Sequence, residues 1–254
     1  MHTIGNTVFV GKVLMHFPFL GSTNSYAIEL ASKSNPSEGT VISTYNQQQG
    51  RGQIGSRWHG QPDKNITLSV ILHPRFLPIR KQFLLSQAVS LAVYDFISAP
   101  LDRTVKIKWP NDVYVEDRKI AGILIQNTLL SNQLHTSVVG LGINVNQLDF
   151  PADLPKATSL ALESDQRQYV LDDMVVRLCQ SLERRYLQLR RGEEKALQQD
   201  YLHRLYQFMQ EGLYARADGE VFSGRITGVS DSGKLLVDHK QGQEAFDIKE
   251  LRYL

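Results

Sequence analysis

Residues 47–60, QQQGRGQIGSRWHG, interleave Gly50, Gly52 and Gly55 with Arg51 and Arg57, and Trp58 closes the run. Glycine admits backbone conformations and close approaches that a Cβ forbids. Arginine adds a permanent charge and a planar fork of donors matched to carboxylate or phosphate. Composition alone leaves two readings of this loop open: a solvated surface segment, or a lid over an anionic small molecule. The remaining reactive inventory is also cationic and polar. Lys108, Asn111, Asp112, Lys119 and Asn144 each stand at a strand end or a glycine turn. Ser22, Thr23 and Asn24 precede a helical pattern, where they can cap its first amides or hydrogen-bond a neutral ligand.

Several common chemistries are excluded. There is no GxxxxGK[ST] loop, and Gly140-Leu141-Gly142 lacks the third glycine of a dinucleotide fingerprint. The seven histidines are scattered, with no HxH, HExxH or CxxC, so a metal site built by the protein alone is not expected. No GxSxG elbow is present, and Cys179, flanked by no cationic cluster, reads as a small core residue. A set without an obvious nucleophile can still hold a nucleotide and stabilise charge on a transferring phosphoryl group. Mg²⁺ commonly takes one or two carboxylates plus substrate phosphates, so Asp112 would be enough to hold it.

A sheet must position these residues. Residues 13–19 read as a strand and 25–32 as a first helix; a second strand, 39–47, delivers the chain into the glycine-arginine loop. Residues 65–72 alternate as a third strand. Residues 81–98 carry apolar side chains at three- and four-residue steps, which predicts an amphipathic helix. Residues 105–109 alternate until Pro110, which argues for a bulge or an edge. The segments 113–115 and 120–126 then form a hairpin turning near Asp117-Arg118, and 135–145 is a further strand. Helices are expected over 171–189 and 193–209. From Leu213 onward only short β-rich runs and turns remain. The expected fold is α+β: a mixed or antiparallel sheet with helices on one face in residues 1–212, and a β unit in 213–254. At about 40 residues that unit is too small to fold alone and should dock on the larger one.

The 254 residues, 42% hydrophobic and 21% charged, describe an ordinary globular chain with a substantial core. A net charge of +2 without a basic cluster gives no electrostatic footprint for nucleic acid. No apolar run approaches the roughly 20 residues that span a bilayer, so no membrane partner is expected. The first residues do not read as a signal peptide, and a lone cysteine fits a reducing compartment; a cytoplasmic protein is the expectation.

Five short motifs then fall in order: Gly21-Ser22-Thr23-Asn24, GRGQIGSRW at 50–58, KWPND at 108–112, KIAGIL at 119–124 and GLGIN at 140–144. In this the chain resembles the biotin–protein ligases over its whole length, with residues 213–254 fitting the small SH3-like domain of that family. The first part would be its class II synthetase-like catalytic domain. The resemblance implies two steps: biotin and ATP give biotinyl-5′-adenylate and pyrophosphate, then a lysine of an acceptor protein attacks the mixed anhydride. It implies that Ser22, Thr23, Asn24 and Gln47 meet the ureido head of biotin. Gly50, Arg51, Gly52 and Gln53 would fold over carboxyl and phosphate. Lys119, with Gly122 in the same motif, would neutralise charge where carboxylate meets α-phosphate. Asp112, beside Asn111, would bind Mg²⁺ or orient the acceptor lysine. Trp58 and Trp109 would stack on adenine or serve the core, and Asn144 would touch the nucleotide. Lys119, Arg51 and Asp112 are thus the expected catalytic residues. The implied partners are biotin, ATP and a biotin carboxyl carrier protein of an acyl-CoA carboxylase, and an exposed sheet edge could pair two copies. Gln53 and Ser56 stand where the family motif often has arginine, which leaves this loop with fewer charges. Roughly 20 residues precede Ser22, too few for a winged helix-turn-helix, so operator binding is not expected.

Overall fold

Alternation in one strand divides the molecule into a core side and a site side. In residues 65–72, Ile66, Leu68, Val70 and Leu72 join the main hydrophobic core, while Thr67 and Ser69 point to the opposite face. Side chains in a strand alternate faces, so a polar-apolar alternation inside a fully buried strand means that both faces are covered. The computed structural model describes residues 4–53, 55–131, 133–165 and 167–254.

The main sheet contains β1 (Leu14–Phe17), β2 (Thr40–Thr44), β3 (Asn65–Leu72), β4 (Val105–Lys108), β5 (Asp112–Val115), β6 (Arg118–Leu130) and β7 (Gln133–Asn144). Its order is β1-β2-β3-β7-β6-β5-β4. Only β1 and β2 run parallel, which makes the sheet mixed. The helices are α1 (Thr23–Lys33), α2 (Phe83–Ser98), α3 (Leu160–Glu163), α4 (Leu171–Arg190) and α5 (Glu194–Arg204). The long helices α2 and α4 share one face, with their buried stripes set against Leu68, Val70, Val139 and Leu141. Short α1 covers the other face, where Ala27 packs with Ile42, Ile71 and Val138. A second, antiparallel sheet follows: β8 (Glu211–Arg216), β9 (Val221–Val229), β10 (Leu235–His239), β11 (Gly242–Phe246) and β12 (Leu251–Tyr253), in the order β11-β10-β9-β8-β12. Among the described residues no helix is long and apolar enough to cross a membrane.

Three of the differences from the sequence expectation have a clear local reason. Helix α1 begins at Thr23 rather than Ser25, because Ser22 is its N-cap and accepts from the Ser25 amide. Helix α5 stops at Arg204 instead of reaching 209. Beyond it the amide of Tyr206 donates to Ile107 and that of Met209 to Ile226, so pairing with two strands replaces helical bonding. Pro110 sits in a tight turn between edge strand β4 and β5, and the Trp109–Pro110 bond is cis. Residues 105–130 therefore make three strands.

Candidate functional site

Paired registers bring the polar and glycine residues of four strands into one row. Thr67 lies opposite Gly142, Gly142 opposite Gly122, and Gly122 opposite Asp112. One step along, Ser69 faces Gly140 and Gly140 faces Leu124. With no side chains on three of these positions, the sheet surface drops and a cavity of about 230 Å³ opens between it, the 51–58 loop and the start of α1.

Polar groups close one end. The Thr23 amide donates to Gln47 Oε1 at 2.9 Å, and the Thr23 hydroxyl donates to the same oxygen at 3.3 Å. Asn24 spends both hydrogens of its amide on Leu124 O (3.2 Å) and Gln126 Oε1 (3.0 Å). Ser69 Oγ lies 2.8 Å from Thr23 Oγ1 and 2.6 Å from Asn24 Oδ1, but its one proton serves only one of them at a time. Ser22, Thr23, Asn24 and Gln47 all line this end of the cavity.

A β-bulge supplies the other end. Val113 pairs with Ala121 but Tyr114 pairs with Lys119, so Ile120 is the extra residue. Ile120 and Ala121 both stay in the core, and Lys119 emerges on the same side as Gly122 and Asp112. Its Nζ lies 2.7 Å from Asp112 Oδ1. That oxygen is buried and has no partner at hydrogen-bonding angles, so the contact is Coulombic rather than a directed bond. The Lys119 backbone is fixed from behind, donating to Lys156 O (2.6 Å) and accepting from the Thr158 amide (2.9 Å). Asn111 staples the β4–β5 turn to β6, donating from Nδ2 to Ile123 O (2.6 Å) and accepting from the Ile123 amide (2.9 Å).

The 51–58 loop forms the roof as a small hydrogen-bonded hairpin. Arg51 bridges to Arg57, the Trp58 amide donates to Gly50 O (3.1 Å), and the Gly52 amide donates to Ser56 O (2.9 Å). Ile54, within the expected motif, lies outside the described residues. The Trp58 indole rests on the glycine floor: a Cβ at Gly142 would come 2.3 Å from its ring, and one at Gly122 would come 3.2 Å. Its Nε1 is buried with no acceptor. Arg51, Arg57, Lys119 and Lys249 line the cavity against the lone carboxylate of Asp112, which makes its field positive.

Of the residues expected from sequence, Ser22, Thr23, Asn24, Gln47, Arg51, Gly52, Gln53, Trp58, Asn111, Asp112, Lys119 and Gly122 line the cavity. The structure moves four others out of it. Gly50 lies behind the roof, where a Cβ would meet Trp58 O at 2.3 Å. Trp109 is 4% exposed, and its Nε1 donates to Gly233 O in the second sheet, which fits the core role, the other of its two expected parts. Asn144 is buried with Nδ2 donating to Thr158 O, bracing the segment behind Lys119. Lys108 points its ammonium away, over tyrosine rings. Conversely, the sequence reading does not reach Thr67, Gly140, Gly142, Ile248 and Lys249 as lining residues. Thr67 and Ser69 at period two, facing Gly142 and Gly140 also at period two, are the signal that marks the first three. No pattern within residues 242–254 signals that Ile248 and Lys249 reach the cavity. Cys179 is fully buried, its thiol pushed up to about 12 by burial and then by nearby Glu183, in keeping with a core role.

Comparison with known proteins adds to this geometry. Residues 16–144 match the model of the biotin/lipoate A/B protein ligase family. The bifunctional ligase/repressor BirA of Bacillus spizizenii is 33% identical over 245 residues, 93% of this chain and 72% of that protein. A biotin–[acetyl-CoA-carboxylase] ligase of Mycobacterium tuberculosis is 31% identical over 222 residues, 86% of this chain and 80% of its own length. Among solved structures, the biotin protein ligase of Aquifex aeolicus in complex with biotin and ATP superposes with a TM-score of 0.78. That match covers 96% of this chain and 100% of the other at 24% identity, a likeness of fold. The family match runs from β1 to the end of β7 and so spans every strand that builds the cavity floor; the chain belongs to the biotin/lipoate A/B protein ligase family.

Proposed function

We propose that the protein activates biotin with ATP as biotinyl-5′-AMP and transfers the biotinyl group to a lysine of a biotin carboxyl carrier protein. The observation that carries this reading is the two-ended cavity. A cluster of neutral hydrogen-bonding groups lies at one end, and Lys119 beside Asp112 under an arginine roof at the other. A ureido head group suits the first end, where unmet polar groups would be penalised on burial. A carboxylate meeting an α-phosphate suits the second.

In the first step a carboxylate oxygen of biotin attacks the α-phosphorus and pyrophosphate departs with the bonding electrons. Negative charge gathers on oxygens that Lys119 Nζ and the Arg51 guanidinium can meet. In the second step the neutral amine of the acceptor lysine attacks the acyl carbon, AMP leaves, and Asp112 orients the incoming amine. Because the anhydride itself is the activated acyl group, no enzyme nucleophile is needed.

Asp112 Oδ1, buried and without a directed hydrogen bond, fits one ligand position of a Mg²⁺ that takes its other ligands from phosphate and water. Among the described residues no cluster of three or more His, Cys, Asp or Glu could hold a metal by itself. When bound with ATP, Mg²⁺ would neutralise phosphate charge. Self-association is also proposed: residues 125–130 of β6 extend past β5 with Leu129 and Leu130 exposed, an edge able to pair.

Exchange of labelled pyrophosphate into ATP tests the reading. Exchange should require biotin and should not proceed with lipoate. Lys119→Ala should slow it by about a hundredfold or more, the scale of losing one preorganised charge-stabilising donor, with biotin binding retained. Exchange driven by lipoate, or full activity in Lys119→Ala, would overturn the assignment.

A further inference from the structure

Lys108 is the lysine of the KWPND run, yet it turns away from the cavity and into a box of three tyrosines. Its Nζ lies 4.9 Å from the ring centroid of Tyr114, 5.5 Å from Tyr206 and 4.5 Å from Tyr253. The three rings come from three parts of the fold: strand β5, the segment between α5 and β8, and the last strand β12. Among the described residues Lys108 forms no ion pair at contact distance. Burial lowers its pKa from the ordinary lysine value; Asp112 and Asp117 pull the other way, and Lys156 and Lys119 add to the depression. An ammonium half-removed from water in this manner is held by the negative faces of aromatic rings, which attract cations more strongly as water is excluded.

Neighbouring bonds close the same junction. The Tyr206 amide donates to Ile107 O (2.8 Å), and its hydroxyl donates to Asp117 Oδ1 (2.6 Å). Trp109 Nε1 donates to Gly233 O at 2.9 Å. Tyr253 meets Tyr206 and Tyr214 ring to ring at 6.0 and 5.6 Å. The chain entering β12 is the 247–250 turn, whose Ile248 and Lys249 line the adenylation cavity. Lys108 is also the cross-strand partner of Asp112. One residue therefore touches both the strand that carries a wall of the cavity and the strand pair that carries Asp112.

We propose that Lys108 is a positioning residue whose ammonium clasps the second sheet to the first, setting where the 247–250 turn stands over the cavity. The inference rests on the ligase reading above. The clasp works by charge, not bulk: an apolar side chain of similar length would fill the box but lose the attraction that fixes Tyr253. The nucleotide end of the cavity, beside Lys119 and the turn, should feel the loss, while the polar head-group end near Thr23 should not.

Lys108→Met, Lys108→Arg and the double variant Lys108→Met/Tyr253→Leu test the clasp in the full-length protein. Lys108→Met should raise the KM for ATP in pyrophosphate exchange about tenfold, the order expected for losing a partly desolvated cation–π site. Its kcat should stay within about twofold, and biotin affinity measured by calorimetry should not change. Backbone amides of residues 248–254 should exchange with deuterium faster. Lys108→Arg should restore most of the affinity, and Tyr253→Leu should add little once Lys108→Met is present. An unchanged KM for ATP, an Arg variant as poor as Met, or a fall in kcat and biotin affinity together would overturn the proposal. A wild-type protein without biotin-dependent exchange would instead sink the ligase reading; unaltered deuterium exchange in Lys108→Met would then still count against the clasp.

Discussion

Gly140 shows how a residue can matter through what it leaves out. A Cβ there would stand 2.0 Å from Asn24 Oδ1, and Asn24 is tied to Leu124 O and Gln126 Oε1, so it has no nearby place to go. Gly140→Ala should lower biotin affinity by about ten- to a hundredfold, matching the usual strain of an added methylene in a packed site, while the chain still folds. Calorimetric titration checks this; wild-type affinity would mean that Asn24 yields freely. At this scale the sequence is legible where chemistry is written in polar and charged types, as at Thr23, Arg51, Asp112 and Lys119. It is ambiguous where a motif residue can serve either a ligand or the structure. Trp109 and Asn144 carry the same letters whether they meet a ligand or brace a strand, and only the partner, Gly233 O or Thr158 O, distinguishes the two. Cross-strand neighbours such as Ser69 and Gly140 lie far apart in the chain, so their meeting is set by register.

Elements show the same division between local and distant causes. Strand β3 is readable to the residue, because alternation and β-branching are properties of the segment itself. The early end of α5 is not, because it depends on acceptors at Ile107 and Ile226. Glu183 on α4 is a further case of distant pairing. It is 7% exposed, and its carboxylate accepts the amides of Val8 (2.7 Å), Phe9 (2.7 Å) and Val10 (3.0 Å), so one helix residue anchors the segment ahead of β1. Glu183→Ala would strand three backbone donors. It should destabilise the protein by about 2–4 kcal/mol, since each orphaned donor costs roughly 1–3 kcal/mol and Val8 and Phe9 can partly recover water. Urea denaturation should show a lower midpoint, and the amides of residues 8–10 should exchange faster. An unchanged midpoint would show that the segment is held by its other contacts.

At the scale of the whole molecule, burial of weak acids sets a limit on alkaline tolerance. The Cys179 thiol rises from an ordinary 9.0 to about 12, and Tyr206 and Tyr214 rise from 10.0 to about 12, each chiefly through burial. A raised folded pKa stabilises the protein fully below the unfolded value, and the stabilisation is lost as pH climbs through the folded one. Stability should therefore hold to about pH 9 and fall between pH 9 and 12. Denaturant midpoints at pH 8 and pH 11 decide the matter, and equal values would refute the prediction. The α+β class and the β-rich end of the chain are legible from periodicity alone. The contact between the two sheets is not, since it rests on a boxed cation, a tryptophan N–H and a turn whose residues look unremarkable in sequence. Strand β3 leaves one more consequence. Ile66, Leu68 and Val70 serve the core while Thr67 lines the cavity and Ser69 holds the Thr23 and Asn24 side chains that line it, so the two lists are a single residue out of phase. Over evolutionary time either list can drift by exchange of one letter for another, independently of its counterpart. A one-residue insertion or deletion within 65–72 would swap the faces of every residue to one side of it at a stroke, and lineages of this protein should carry that octet with its length untouched.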